Sequence, residues 1–375
     1  MICAPNAFRG TLGAAEAARA LSLGVADSDG DGVRTPMADG GDGTLEILLG
    51  AAPLSRTETL RVHGPLGGRV LARLGWIEPG IAVVELAEAA GLRRLSRPNQ
   101  PLLASSRGAG ELIAGALDRG ARRIVVGVGG SACTDGGAGL LMALGARLID
   151  ARGRPIGWGG GALLDLHSAD LAQLDARLQG VRIEVATDVI SPLLGKEGAA
   201  TVFGPQKGAT PAELGQLELG LERLCCTLER DAGVAASLRL VAGAGAGGGS
   251  GYGLCAIGGE LVRGAALVAD AIHLDHAIQS ADLVITGEGR LDLQTAAGKA
   301  PMEVARRAAQ QGVPCVAVAG SVEGIPEGFA GAISLTDLAG AGEDPRRMPR
   351  RLLRRAAANL TRRWSTTPRT WGFPR

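Results

Sequence analysis

Lysine is nearly missing: of 39 basic residues three are lysine, which leaves 36 arginines. Where either cation would serve, this chain uses arginine. Lys207 in Val-Phe-Gly-Pro-Gln-Lys-Gly-Ala-Thr and Lys299 in Thr-Ala-Ala-Gly-Lys-Ala-Pro are therefore candidates for a compact point charge that arginine's planar fork cannot imitate, or else residues of mutational bias. Lys196, beside Glu197 in a turn-like stretch, reads as a surface residue. Long apolar runs are also missing, which excludes a membrane-spanning helix, and Met1 leads directly into a strand-like start without a basic segment and apolar signal core. The expectation is a cytoplasmic protein. There is no C-x-x-C and the only close cysteine pair is Cys225-Cys226, so neither a disulfide framework nor a zinc site is indicated, and the cysteines read as small, reduced core residues. A net charge of +1 supplies no global field to recruit nucleic acid or a membrane surface.

A chain of 375 residues exceeds what one core usually supports, so two domains are expected, with the active site in the cleft between them. Ile2-Cys3-Ala4, a Gly10-Thr11 turn, and apolar residues at positions 12, 15, 18 and 21 read as strand, loop and helix ending near Gly24. Near the other end, Leu283–Ile285, a helix over Pro301–Gln311 and a strand over Cys315–Ala319 describe a βαβ unit. Between them, residues 59–62 and 69–72 read as a hairpin, Ile81–Leu86 as a further strand, and Gly110–Leu117 as a helix leading to a buried strand at Ile124–Val126. The predicted architecture is α/β and discontinuous. Residues 1–58 plus 238–375 form a parallel-sheet domain into which a mixed α/β domain, 59–237, is inserted.

From Arg346 to Arg375 the chain carries ten arginines, with Trp364 and Trp371 interleaved. Such a segment could contact RNA or anionic lipid. Leu352, Leu353, Ala356, Ala357 and Leu360 nevertheless form an apolar stripe at helical spacing, so a helix docked on the protein is the simpler reading.

Five glycine-rich segments each contain fixed polar or ionisable groups: 6–11, 37–44, 129–137, 242–253 and 286–290. Glycine-turn amides bind anions, and nearby carboxylates hold Mg²⁺ or act as a base. Phosphoryl transfer needs that combination, because its catalysis is mostly positioning and charge neutralisation. Gly243 to Gly248 also satisfies G-x-G-x-x-G, which admits a dinucleotide reading with Glu260 or Asp270 on the ribose, although both acids fall in apparent helix. Lys299 is not in a Walker loop, since Ala300 follows it and Leu293 stands where the first glycine should be.

Ala-Pro-Asn-Ala-Phe-Arg-Gly, Pro-Met-Ala-Asp-Gly-Gly-Asp-Gly-Thr, Gly-Val-Gly-Gly-Ser-Ala-Cys-Thr-Asp-Gly-Gly-Ala-Gly, Ala-Thr-Asp-Val with Pro-Leu-Leu-Gly, Val-Phe-Gly-Pro-Gln-Lys-Gly-Ala-Thr, Gly-Ala-Gly-Ala-Gly-Gly-Gly and Ile-Thr-Gly-Glu-Gly-Arg-Leu-Asp-Leu-Gln-Thr follow in order. Together they resemble the bacterial type I glycerate kinases over roughly residues 1 to 340. The resemblance implies ATP-dependent phosphorylation of D-glycerate, usually at the 2-hydroxyl, by a two-domain α/β protein with a flavodoxin/Rossmann-like domain and an inserted one. ATP, D-glycerate and Mg²⁺ are the expected partners, with no membrane or nucleic acid and with a homo-oligomer left open. Two positions depart from the family: Arg9 stands where lysine is usual and Thr134 where asparagine is frequent.

A hydroxyl nucleophile needs a carboxylate within hydrogen-bond reach, and Asp188, at the end of the strand-like Ile183–Ala186, is the first choice of base; a turn-capping role is its alternative. Lys207 and Arg290 are the other catalytic candidates. With Lys299, they would neutralise the glycerate carboxylate or the transferred phosphoryl group. Asp39 and Asp42 are candidates for Mg²⁺, with helix capping near Thr44 as the alternative, and Glu288 and Asp292 are further metal candidates. Asn6, Arg9, Ser131, Thr134, Asp135, Gly243, Gly245, Gly247 and Gly248 complete the expected substrate and phosphate contacts, loop-internal hydrogen bonds being the alternative for Ser131 and Thr134. His63, His167, His273 and His276 lie outside the motifs, against histidine-based transfer. Competing readings are a kinase of another small hydroxy acid, a dehydrogenase, and a non-catalytic metabolite sensor.

Overall fold

Short apolar runs bounded by glycine fold as strands, and segments with apolar residues three and four apart fold as helices. The computed structural model describes residues 1–292 and 299–366. Its strands begin with β1 (Ile2–Pro5), β2 (Val33–Arg34), β3 (Arg56–His63), β4 (Arg69–Glu78), β5 (Ile81–Glu85), β6 (Arg123–Gly127) and β7 (Arg147–Asp150). They continue with β8 (Leu166–Asp170), β9 (Arg182–Ala186), β10 (Glu260–Val262), β11 (Val284–Leu291), β12 (Cys315–Val322) and β13 (Gly331–Ser334). Two units emerge: one of residues 1–39, 46–51 and 264 onward, the other of residues 40–45 and 52–263.

The first unit is built on a five-stranded parallel sheet in the order β13-β12-β11-β1-β2. Renumbered within the unit this is 2-1-3-4-5, the flavodoxin-like order, whose switch point lies between β1 and β11. The expected βαβ unit is present, with helix Ala300–Gln310 joining β11 to β12. Helices Ala14–Ala26 and Pro349–Thr366 pack together and share one core with the sheet, in which Cys3, Leu21, Ile285, Val318 and Leu353 are buried. The stripe of the basic helix is buried as expected, and its arginines pair with acids of the same unit: Arg350 with Glu16, Arg354 with Asp27 and Arg355 with Glu343. Trp371 lies outside the described residues.

The second unit holds a six-stranded mixed sheet in the order β10-β9-β6-β5-β4-β3. The expected hairpin is there, with Val62 opposite Val70, and β5, β6, β9 and β10 run parallel. A separate antiparallel pair, β7 and β8, was not expected from sequence. The divide falls at 51/52 and 263/264 instead of 58/59 and 237/238. Three-residue β10 is the reason at the second boundary: it pairs with β9 and carries the preceding glycine segment with it. Four of the six cysteines are buried as expected, but Cys226 is exposed and Cys255 half-buried. Among the described residues no helix is long and apolar enough to cross a membrane.

Candidate active site

In the second unit, parallel strands β5, β6 and β9 end on one edge of their sheet, the edge where α/β proteins bind ligands. The loop after β6 runs through Gly129, Gly130, Ser131 and Thr134, and Lys207 is folded into it. Its Nζ donates to Ser131 Oγ at 2.9 Å, to the Cys133 carbonyl at 2.5 Å and to Thr134 Oγ1 at 3.5 Å. Only 4% of Lys207 is exposed, and this burial pushes its pKa down from the usual lysine range. Asn99 bolts the same segments together, donating to the carbonyls of Ala132 and Lys207.

Thr134 and Asp135 have no exposed surface. The Asp135 carboxylate accepts from the Ser106 amide and hydroxyl and from the amides of Gly137 and Gly139, so it shapes the loop instead of facing a ligand. The Thr134 hydroxyl accepts from Lys207 Nζ, which comes from a different segment of the chain. Ser131, 5% exposed, is likewise engaged with Lys207.

The glycines from Gly243 to Gly248 pack backbone against backbone. Gly248 has φ of 71°, and a Cβ there would fall 2.0 Å from the Cys133 carbonyl oxygen and 2.8 Å from Lys207 Nζ. The run follows a 3₁₀ turn, Ala236–Leu240, and not a strand, while Glu260 begins β10; both facts remove the basis for a dinucleotide fingerprint. Asp270, the other acid considered, lies in helix Gly264–Ala271.

The segment Gly40–Leu45 docks on the same edge, where the Gly40 carbonyl accepts from the Gly129 amide at 3.0 Å. Asp42 is 44% exposed and pairs with Arg93 at 3.3 Å. The amides of Gly43 and Leu45, at the start of helix Thr44–Ala51, are taken by the carboxylate of Glu85, so the capping role considered for the aspartates belongs to a residue sequence reasoning missed. Burial pushes the Glu85 carboxyl up, with Arg93 opposing it. The available signal was two glutamates, Glu85 and Glu88, inside an apolar run, followed by Arg93 and Arg94. Asp188 stands two residues beyond β9, half-buried; the turn there is closed by Thr187 Oγ1, which accepts from the Val189 amide.

In the first unit the loops after β1 and β2 and the end of β11 carry a second group. Asn6 Nδ2 donates to Asp39 Oδ2 at 3.1 Å, and the Asn6 amide donates to the Gly287 carbonyl. Arg9 is exposed, and Glu288 is 8% exposed. Arg290 pairs with Glu323 and, at 3.5 Å, with Asp292. Lys299, half-buried, precedes helix Ala300–Gln310, while 293–298 lie outside the described residues. His63 pairs with Glu111 at 2.6 Å, a structural role, and Lys196 is exposed as expected.

Among the described residues no three His, Cys, Asp or Glu side chains form a metal-binding group. Mg²⁺ does not require one, because it keeps several waters and takes one or two carboxylates together with substrate phosphates. The accessible carboxylate of Asp42 fits that donor chemistry, and the less exposed carboxylates of Asp39, Asp292 and buried Glu288 have the same oxygen donors.

Comparison with known proteins agrees with the motifs. The model of the glycerate kinase family matches residues 1–365. A glycerate kinase of Bacillus subtilis is 45% identical over 327 residues, covering 86% of this chain and 85% of its own. The glycerate 2-kinase of Escherichia coli K12 is 42% identical over 327 residues, with the same coverage of 86% and 85%. A crystal structure from Salmonella typhimurium LT2, assigned provisionally as glycerate kinase 2, has a TM-score of 0.79 and 41% identity over 98% of both chains.

Proposed function

The chain belongs to the glycerate kinase family, and from that premise we propose that it transfers the γ-phosphoryl group of ATP to the 2-hydroxyl of D-glycerate, giving 2-phosphoglycerate and ADP. The observation that carries this reading is the edge of the second sheet. There a glycine turn, a buried lysine and two aspartates, Asp42 and Asp188, are presented by loops that follow or dock on parallel strands. The name of the E. coli relative supports the 2-position.

In this mechanism Asp188 takes the proton of the attacking hydroxyl while the oxygen forms its bond to phosphorus and ADP leaves with the electrons of the breaking bond. Lys207 acts from beneath the surface, holding Ser131 and the Cys133 carbonyl so that the turn keeps one shape. Amides of the turns at Gly130–Ser131 and Gly247–Gly248 bind phosphate oxygens. In the first unit Asn6, Arg9, Arg290 and Lys299 are the groups for phosphate and the glycerate carboxylate, Arg290 being suited to a planar carboxylate. In the second unit Asp42 would hold Mg²⁺, which when bound neutralises charge on the phosphates, and in the first unit Asp39, Glu288 and Asp292 are the carboxylates of the same chemistry. A coupled assay of ADP release tests the reading: release should depend on D-glycerate and not on L-lactate, and equal rates with both would contradict it.

A further inference from the structure

Arg93 has a place in the site that the phosphoryl-transfer chemistry alone does not explain. Its guanidinium reaches three carboxylates, Glu85 at 2.8 Å, Glu88 at 2.7 Å and Asp42 at 3.3 Å. Glu88 is already neutralised, by Arg73 at 2.7 Å and Arg94 at 2.6 Å, so a third arginine is not needed to keep that buried charge satisfied. What Arg93 adds is the link outward to Asp42. Glu85, 1% exposed at the end of β5, is in turn an expensive group to bury unless it is engaged. One of its oxygens accepts the amides of Gly43 and Leu45, at 3.2 and 3.1 Å, and the other accepts from Arg93. The backbone that follows Asp42 and the carboxylate of Asp42 itself are thus held by one ion pair.

The opposite face is closed by Gly130. A Cβ at this residue, whose φ is 72°, would lie 2.7 Å from Asp42 Oδ1. Asp42 therefore rests against bare backbone on one side and Arg93 on the other. Arg93 is anchored to that same backbone, since the Leu92 amide donates to the Gly130 carbonyl at 3.0 Å.

We propose that Glu85 and Arg93 are positioning residues that set the Gly40–Leu45 backbone and the Asp42 carboxylate for the metal–phosphate end of the nucleotide. The proposal rests on the reading that Asp42 serves phosphoryl transfer. A planar, many-donor cation is required to bridge three carboxylates, which a lysine at 93 cannot do.

The test uses the full chain with Asp42→Asn, Arg93→Ala and Glu85→Gln, singly and in pairs with Asp42→Asn. Turnover and the Mg²⁺ concentration for half-maximal rate are measured, and amide hydrogen exchange at Gly43 and Leu45 is followed without nucleotide. Arg93→Ala and Glu85→Gln should each lower kcat on the order of 10-fold and raise the Mg²⁺ requirement, because small displacements of a catalytic group are costly. Each should lose most of that effect in the Asp42→Asn background, and Glu85→Gln should speed exchange at both amides. Wild-type turnover in Arg93→Ala and Glu85→Gln beside a slowed Asp42→Asn, or fully additive losses, would overturn the positioning role alone. Normal turnover in Asp42→Asn would overturn it by removing the reading beneath it, and unchanged exchange would overturn it whatever the rates. Should Arg93→Ala fail to fold, Arg93→Lys, which keeps the charge without the fork, carries the same test.

Discussion

Lys207 Nζ lies 2.9 Å from Ser131 Oγ, in a pocket of backbone where Lys207 is 4% exposed and Gly248 presses from the other side. In a chain that writes arginine almost everywhere, this is a position where arginine does not fit. The lysine donates to one hydroxyl and one carbonyl at close range, and a guanidinium has neither the size nor the geometry to replace it.

Lys207→Arg should therefore lower kcat on the order of 10²-fold, the scale seen when catalytic groups are displaced by about an ångström, and should lower the melting temperature as well. Steady-state kinetics with calorimetry would check both; unchanged kcat and Tm would mean that the scarcity of lysine is compositional drift.

Asp188→Asn should leave binding of D-glycerate and nucleotide in place and reduce turnover by about 10²-fold or more, the effect of removing a general base. The variant retains the size of the side chain, and the turn is closed by Thr187, so the fold should be kept. Titration calorimetry beside the kinetic assay separates the two effects, and near-normal turnover would move the base elsewhere.

Glu303 gives a pH dependence whose sign can be worked out. Burial raises its carboxyl, but hydrogen bonds from Arg306 and Arg307 more than offset this and hold the group at about 2, below the ordinary glutamate value of 4.5. A group with a depressed folded-state pKa contributes stability that is complete above the unfolded value and is lost as the pH falls toward the folded one. The difference in stability between wild type and Glu303→Gln should be constant above about pH 5 and shrink between 4.5 and about 2, measured by denaturant unfolding across that range.

The carboxy-terminal helix is held by its apolar stripe more than by its arginines. Leu353→Ala, at a fully buried position, should cost about 2–5 kcal/mol. Arg354→Ala removes an exposed pair with Asp27 and should leave the unfolding midpoint within replicate scatter. The two variants compared by denaturant unfolding decide the matter.

Much of this arrangement is legible in the sequence where a local pattern has one meaning. Leu283–Ile285, the helix after Pro301 and Cys315–Ala319 give the βαβ unit because their periods differ sharply, and the stripe from Leu352 to Leu360 gives a docked helix despite its charge. The acid- and glycine-bearing loops likewise identify the sheet edge. What the pattern hides is contact. Glycine reads the same whether a phosphate or another backbone comes close, so the run from Gly243 to Gly248 gives no hint that it packs on Cys133. Asp135 likewise looks like a ligand group until Ser106, 29 residues away, is seen to occupy it. Strand β10 is too short for periodicity to register, and the Glu85–Arg93 pair depends on a turn whose geometry the sequence does not state.

The central claim is phosphorylation of D-glycerate at its 2-hydroxyl. ³¹P NMR of the purified chain with Mg-ATP and D-glycerate, beside L-lactate and enzyme-free controls, tests it most directly. The account predicts a glycerate-dependent phosphomonoester resonance that is a doublet, from coupling to the single proton on C2. A triplet from the two protons on C3 would place the phosphate on the other hydroxyl, and no new resonance despite nucleotide binding would contradict the claim outright.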